Sequence, residues 1–430
     1  MGPSPLESRL QVLLEKRKRQ SRLRTLKPSP PGSVDFSSND FLSLSTNTEF
    51  KNDYLTLLNN EPVPLGSTGS RLLDGNSIYA EKLENEIAAF HGAETGLLTN
   101  SGFDANVSIF GFLPAAEDTI IYDELIHASV HDGMRQSKCQ AQFLFRHNDV
   151  SDLRRQLLRI GAMPGERSIF IAVESVYSMD GDLAPLTEIV ELIDEVCSGK
   201  NVYLIVDEAH STGCYGPDGS GRVCELGLES RVPIRLHTFG KALGASGAII
   251  LCSDVIRSYL INYARPLIYT TFMAYPSLVS IANAYSWLQA GKTNNLAANL
   301  FFLIDHLFTR LQSLSGILTS IQISPSVPLM TLPDRCPSSP IFALLTPKPR
   351  VLAAHCNNAG FIARPVVSPT VPRGTERVRV CLHAGNTTDQ IDRFVECVRQ
   401  WILSEGAAPQ QRAFSQQARI QAEKPLIAKI

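Results

Sequence analysis

Residues 203–213 read YLIVDEAHSTG. The run from Tyr203 to Val206 is short, apolar and β-branched-rich, the composition of a strand covered on both faces, as in a parallel sheet. It ends in Asp207, followed by Glu208 and His210. A carboxylate at the end of a buried strand is costly unless a cation or a hydrogen bond compensates it. In open α/β sheets the carboxyl ends of strands are where ligands bind. A lone Asp there is also explained as a helix cap or a turn residue, so the stretch needs a partner to mean more.

The partner is downstream, in HTFGKALGASG, residues 237–247, where Lys241 stands among glycines, alanines, Ser246 and Thr238. A solvated lysine at a Gly-rich turn is one reading. The other is an amine that becomes a Schiff base, with small neighbours leaving room for a cofactor. An acid and an amine ending successive apolar stretches converge on one crevice, and pyridoxal phosphate chemistry uses both. The remaining needs of that cofactor have candidates at other predicted strand ends. His127 in LIHAS offers a ring for stacking, although a structural histidine would also fit. TNSGFDAN, 99–106, is a small-residue turn opening a helix, suited to a phosphate. Thr238 adds a hydroxyl, and Ser178 sits in the tight turn SMDGD.

Outward from these stretches the middle of the chain alternates strand and helix patterns. SIYAEKLENEIAAFHG reads as a helix, and after it TIIYDEL, SIFIAVES, VYLIVDEAH and SGAIILC read as buried strands with helical segments such as LAPLTEIVELIDEVCSG between them. This is α/β organisation. A basic amphipathic helix is expected over 5–24 and a long helical stretch from about 275 to Leu314. Short strands PIFALLT, FIARPVV and RVRVCLH follow, then a helix over about 387–404. The expected division is an N-terminal helix and arm (1–60), a large domain with a mostly parallel sheet (61–290), a smaller C-terminal α+β domain (291–405) and a flexible tail (406–430).

Composition narrows the function classes. There are 40 Lys and Arg against 42 Asp and Glu, a net charge of −2, which gives no support for nucleic-acid binding. The basic run KRKRQSRLR reads as a solvated helix face. Nine scattered cysteines, an odd number with no C-x-x-C, speak against disulfides or a zinc site, and no metal is expected. No apolar run approaches the ~18 residues of a membrane span.

With these motifs in view the chain resembles the α-oxoamine synthases, fold-type I pyridoxal-phosphate enzymes that condense an amino acid with an acyl-CoA and release CO2 and CoA. FSSNDFLSLS, GSTGSRLLDGN, LLTNSGFDANVS, DELIHASVHDG, FRHNDV, VYSMDGDLAPL, VDEAHSTG, HTFGKALGASGA, LIYTTF and SPTVPRGTERVRV occur in family order over about residues 36–385. The resemblance implies pyridoxal 5'-phosphate as cofactor, with Lys241 as the Schiff-base lysine and Asp207 on the pyridinium. It implies His127 stacked on the ring, and Ser178 and His210 on the phenolic oxygen side. Gly102, Phe103 and Thr238 would hold the phosphate and ring edge. For substrates it implies His127, Arg24 (or Arg22) in the N-terminal helix, Thr370, and Arg379 as partner of the amino-acid carboxylate. A homodimer with shared active sites is also implied.

Within the family, SGF at 101–103 resembles the biotin-pathway branch, which uses L-alanine and a pimeloyl thioester on CoA or a carrier protein. Thr68 and Asp74 depart from the usual small residues, so another amino acid and acyl pair in secondary metabolism stays open. A non-catalytic subunit is the reading from another class, and the presence of Lys241, Asp207 and His127 opposes it. The chain ends Ala428-Lys429-Ile430, similar in type to a peroxisomal Ser-Lys-Leu signal. Peroxisome is the expectation, with cytosol as the alternative. A mitochondrial leader fits badly, because Glu7 and Glu15 interrupt the basic helix.

Overall fold

The computed structural model describes residues 2–20, 22–26, 28–60, 64–161, 167–197, 201–320, 322–324 and 327–422, with backbone alone for 322–324, 327 and 406–422. The terminal tripeptide Ala428-Lys429-Ile430 lies outside the described residues.

Seven strands form the main sheet. They are β1 (Thr95–Thr99), β2 (Thr119–Asp123), β3 (Ala141–Phe145), β4 (Ile169–Glu174), β5 (Val202–Asp207), β6 (Ile234–Thr238) and β7 (Ala248–Cys252). Their spatial order is β1-β7-β6-β5-β4-β2-β3. Only β7 runs antiparallel to its neighbours. The fold is that of fold-type I transferases, a mostly parallel sheet with helices on both faces.

Period-2 burial explains why these runs are apolar throughout. Ile205 packs with Ala105 and Ile109 of helix Gly102–Phe112 on one face. Leu204 and Val206 pack with Leu186 and Ile189 of helix Leu186–Cys197 on the other. Burying each such side chain contributes roughly 1.5–3 kcal/mol. No alternation with polar residues is therefore affordable along β4, whose six residues are all buried.

A second, antiparallel sheet follows, built from β8 (Ile341–Leu345), β9 (Arg364–Val366) and β10 (Arg377–Cys381) in the order β8-β10-β9. Its core joins that of the helices Tyr275–Gln289 and Asn294–Gln312, which interrupt the expected single helical stretch at Gly291 (φ +66°).

Two helix ends differ from the sequence expectation. The N-terminal helix spans Pro5–Arg19, with a Ser4–Glu7 capping box at its start and Lys16–Arg19 in its last turn. Four cations favour the carbonyl end of a helix dipole, and no residue of this helix is buried, so nothing carries the helix onward to 24. Arg24 therefore follows the helix rather than belonging to it. The last helix spans Thr388–Ala422, past 404 and into the stretch read as a tail. The added sequence is rich in Ala, Gln and Arg, all good helix formers.

Candidate active site

The candidate residues gather at the carboxyl ends of five strands. Gly102 opens the helix after β1, with Ser101 as its cap. His127 follows β2 and caps helix Ala128–Gln136, its Nδ1 accepting from the Ser129 backbone at 3.2 Å. Glu174 ends β4 and Ser178 follows it, Asp207 ends β5 with His210 beyond, and Thr238 ends β6 just before Lys241. Glu174 and Asp207 are paired in register, so two acids stand side by side at the sheet edge.

Lys241 Nζ lies 2.9 Å from His210 Nε2. Burial pushes the lysine pKa down, against the upward pull of Asp207 and Glu174. His210 is buried and its pKa falls well below the ordinary value, through burial and then the Lys241 charge. A neutral imidazole can accept the lysine proton in this hydrogen bond. Burial also lowers His127, with Asp207 pulling the other way. Asp207 is held from both sides, its Oδ2 accepting from Asn106 Nδ2 at 2.9 Å and its Oδ1 from the Ala209 backbone at 2.9 Å. Glu174 is fully enclosed, and burial, followed by the Asp207 charge, pushes it well above the usual carboxylate range.

Arg379 on β10 faces the same crevice from the second sheet. Its Nε donates to the Ser178 carbonyl at 2.6 Å and its Nη2 to Asn39 Oδ1 at 3.0 Å. Its charge is felt at both Lys241 and His210. Arg379 also lines a cavity of about 800 Å³ together with Arg22, Arg24, Arg364 and Thr370. Arg22, Arg24 and Thr370 are exposed and lie at this cavity, away from the lysine end. Phe103 is 46% exposed, on the first turn of its helix.

Three neighbours of the site escaped the reading of the sequence. Asn39 lies in FSSNDFLSLS and meets Arg379 across 340 residues. Asn106 sits among buried Val107, Ser108 and Ile109, and a buried amide in so apolar a helix demands a partner, which is the signal that could have found it. Glu174 ends the neighbouring strand, in register with Asp207.

Comparison with known proteins gives the family. Residues 31–398 match the model of the class I and II aminotransferase family. The chain belongs to that family, and within it to the α-oxoamine synthases. The 8-amino-7-oxononanoate synthase of Emericella nidulans is 50% identical over 411 residues, covering 94% of this chain and 98% of that protein. The aminoacyl transferase sphA of Byssochlamys spectabilis is 38% identical over 379 residues, 85% of this chain and 80% of that one. The structure of 8-amino-7-oxononanoate synthase from Francisella tularensis superposes with a TM-score of 0.66 at 25% identity, covering 87% and 99% of the two chains. Serine palmitoyltransferase of Sphingomonas wittichii, at 23% identity over 92% of this chain and 98% of that one, shares the fold with a TM-score of 0.76. The chain is thus an enzyme, a pyridoxal-phosphate-dependent acyltransferase of the 8-amino-7-oxononanoate synthase type. Among the described residues no helix is long and apolar enough to cross a membrane.

The residues present fit pyridoxal phosphate. His210 Nδ1 and Thr238 Oγ1 are buried with no protein partner, so polar capacity remains for a ligand. A Cβ on Gly102 would come within 2.4 Å of Thr238 Cγ2, so only glycine keeps the helix start this close to β6. The first N–H groups of that helix suit an anion.

Proposed function

We propose that the protein condenses L-alanine with pimeloyl-CoA to give 8-amino-7-oxononanoate, CoA and CO2, a step of biotin biosynthesis. The observation that carries this reading is Arg379, which belongs both to the surroundings of Lys241 and to the arginine-lined cavity. One end handles an amino acid, the other an anionic acyl donor. The name of the Emericella nidulans relative supports the particular substrates.

Gly102, Phe103 and Thr238 would hold the phosphate, Asp207 the ring nitrogen, Ser178 and His210 the phenolic side, and His127 the ring face. The bound cofactor supplies the electron sink that stabilises negative charge at the amino-acid Cα. Arg379 binds the substrate carboxylate, since a planar fork suits bidentate contact. Lys241, its pKa lowered by burial, takes the Cα proton. Arg24 and Thr370 orient the acyl donor, and His127 donates to the thioester carbonyl oxygen as the new C–C bond forms and CoA leaves. Loss of the original carboxylate as CO2 leaves the aminoketone.

Activity is assayed as CoA release over a panel of amino acids and acyl-CoAs. Alanine with pimeloyl-CoA should lead. One methyl gives discrimination of only about 10–200-fold, so slow glycine turnover is compatible, whereas a preference for glycine would remove the biotin reading. A second reading keeps the chemistry with another substrate pair, supported by the 38% identical aminoacyl transferase. The same panel separates the two.

A homodimer is part of the proposal. Leu65, Leu73, Ile78 and Tyr269 are 81%, 77%, 86% and 70% exposed. The resemblance to the α-oxoamine synthases supports a dimer with shared active sites, and sedimentation should give twice the chain mass of 47.2 kDa. We also place the enzyme in peroxisomes on the strength of its last three residues. A fluorescent protein ending in residues 419–430 tests this in a eukaryotic cell, and diffuse signal would overturn it.

A further inference from the structure

His147, in the stretch FRHNDV, lies outside the residues that surround Lys241, yet it carries an arrangement that the proposed chemistry does not use. Its Nδ1 is 2.8 Å from Asp123 Oδ1 and its Nε2 is 2.6 Å from Asp182 Oδ2. Carboxylate oxygens only accept, so both ring nitrogens must donate and the ring is an imidazolium. Asp123 is fully buried at the end of β2, and its other oxygen accepts from the Asn148 backbone at 2.9 Å. Asn148 Nδ2 also donates to Asp182 Oδ2, at 2.7 Å. Tyr177 stands edge-on to the imidazole at 4.4 Å, and Glu124 accepts from the His147 backbone at 3.0 Å. These are the titratable groups that face the ring.

Asp182 closes the turn 177–182, with Tyr177 N donating to its carbonyl at 2.9 Å. The other side of that turn meets the second sheet. Asp180 pairs with Arg377, and the Ser178 carbonyl accepts from Arg379 Nε. At Gly181 (φ +77°) a Cβ would lie 2.6 Å from the Ile341 carbonyl, so the turn has no slack toward β8. The turn thus hangs between a cation just past the end of β3 and the guanidinium that faces the substrate.

We propose that His147 is a positioning residue for the substrate carboxylate: strapped between Asp123 and Asp182, it fixes the 177–182 turn and, through the Ser178 carbonyl, the aim of Arg379. The proposal rests on the reading of Arg379 as the carboxylate partner. It requires that loosening the strap weakens amino-acid binding while leaving the proton-transfer group and the cofactor site in place.

The test uses cofactor-loaded enzyme with His147→Gln and Asp182→Asn, the second leaving the His147–Asp123 contact intact. Each should raise KM for the amino acid about tenfold, with kcat and KM for the acyl donor within about threefold of the parent. Titration of the visible absorbance of the bound cofactor with amino acid should show the same tenfold loss, while cofactor affinity is unchanged. The double variant should be no worse than the poorer single one. An unchanged amino-acid KM, a fall in kcat alone, or failure of Asp182→Asn to fold would each overturn the proposal. Arg379→Lys separates the two layers. If it raises the amino-acid KM and the His147 variants do not, the strap is wrong. If it leaves KM unmoved, the reading of Arg379 is wrong.

Discussion

Lys241 Nζ and His210 Nε2 lie 2.9 Å apart, a half-buried amine donating to a neutral imidazole. An amine must be uncharged to take a proton, and burial lowers the Lys241 pKa from its usual 10.5. Exchange of the alanine Cα proton with solvent deuterium should therefore rise with pH along a limb that lies below 10.5. Lys241→Ala should cut that exchange by about 10²–10⁴-fold, the usual size of a general-base contribution. The variant should also fail to retain cofactor covalently after borohydride treatment. Mass spectrometry finding the label on another lysine would displace Lys241 from this role.

Asp207 and Asn106 make a graded pair. Asp207→Asn keeps shape and removes the charge from a site where a charged hydrogen bond contributes about 1.5–3 kcal/mol. Turnover should drop at least tenfold and cofactor should dissociate more readily. Asn106→Ala removes one neutral donor to Asp207 Oδ2 and should cost less, about 1 kcal/mol. Equilibrium dialysis of the cofactor ranks the two, and the reverse order would mean that Asp207 does not face the ring nitrogen.

The strand ends were legible in the sequence because each buried strand had to be apolar until the sheet edge. Asp207 and Lys241 stood out against that background. β1 and β3 were less visible, since TGLLT contains a glycine and AQFLF is only partly buried. The supports of Arg379 were not legible at all. Its partners are a backbone carbonyl at Ser178, which any residue could supply, and Asn39, brought in by tertiary folding across 340 residues. The end of the first helix was missed for a related reason. Its apolar residues suggested a buried face, but Leu10 and Leu13 remain exposed and do not anchor it.

Gly102 gives a test of the phosphate end that needs no catalysis. A Cβ there would sit 2.4 Å from Thr238 Cγ2, far inside contact distance. Overpacking of this kind costs about 1–3 kcal/mol, so Gly102→Ala should weaken cofactor binding five- to a hundredfold. Thr238→Ser removes the clashing methyl and keeps the hydroxyl. The double variant should recover most of the affinity, and failure to recover would show that Gly102 is needed for something other than its distance from β6.

The His147 strap also makes a prediction about stability and pH. Burial alone would lower the histidine pKa, but hydrogen bonds and charge from Asp123 and Asp182 lift it from 6.5 to about 10. A base with a raised folded-state value contributes fully below the unfolded value of 6.5 and loses that contribution as pH climbs toward about 10. Breaking a buried ion pair costs about 3–5 kcal/mol. The His147 side chain is 20% exposed, which reduces the expected loss in His147→Gln to about 2 kcal/mol at pH 6. Urea unfolding of both proteins at pH 6, 7.5 and 9, with cofactor at fixed excess, measures the difference. The gap should narrow as pH rises, because the parent gives up the charge that the variant never had. A gap that stays constant across this range would mean that His147 is not cationic in the folded protein.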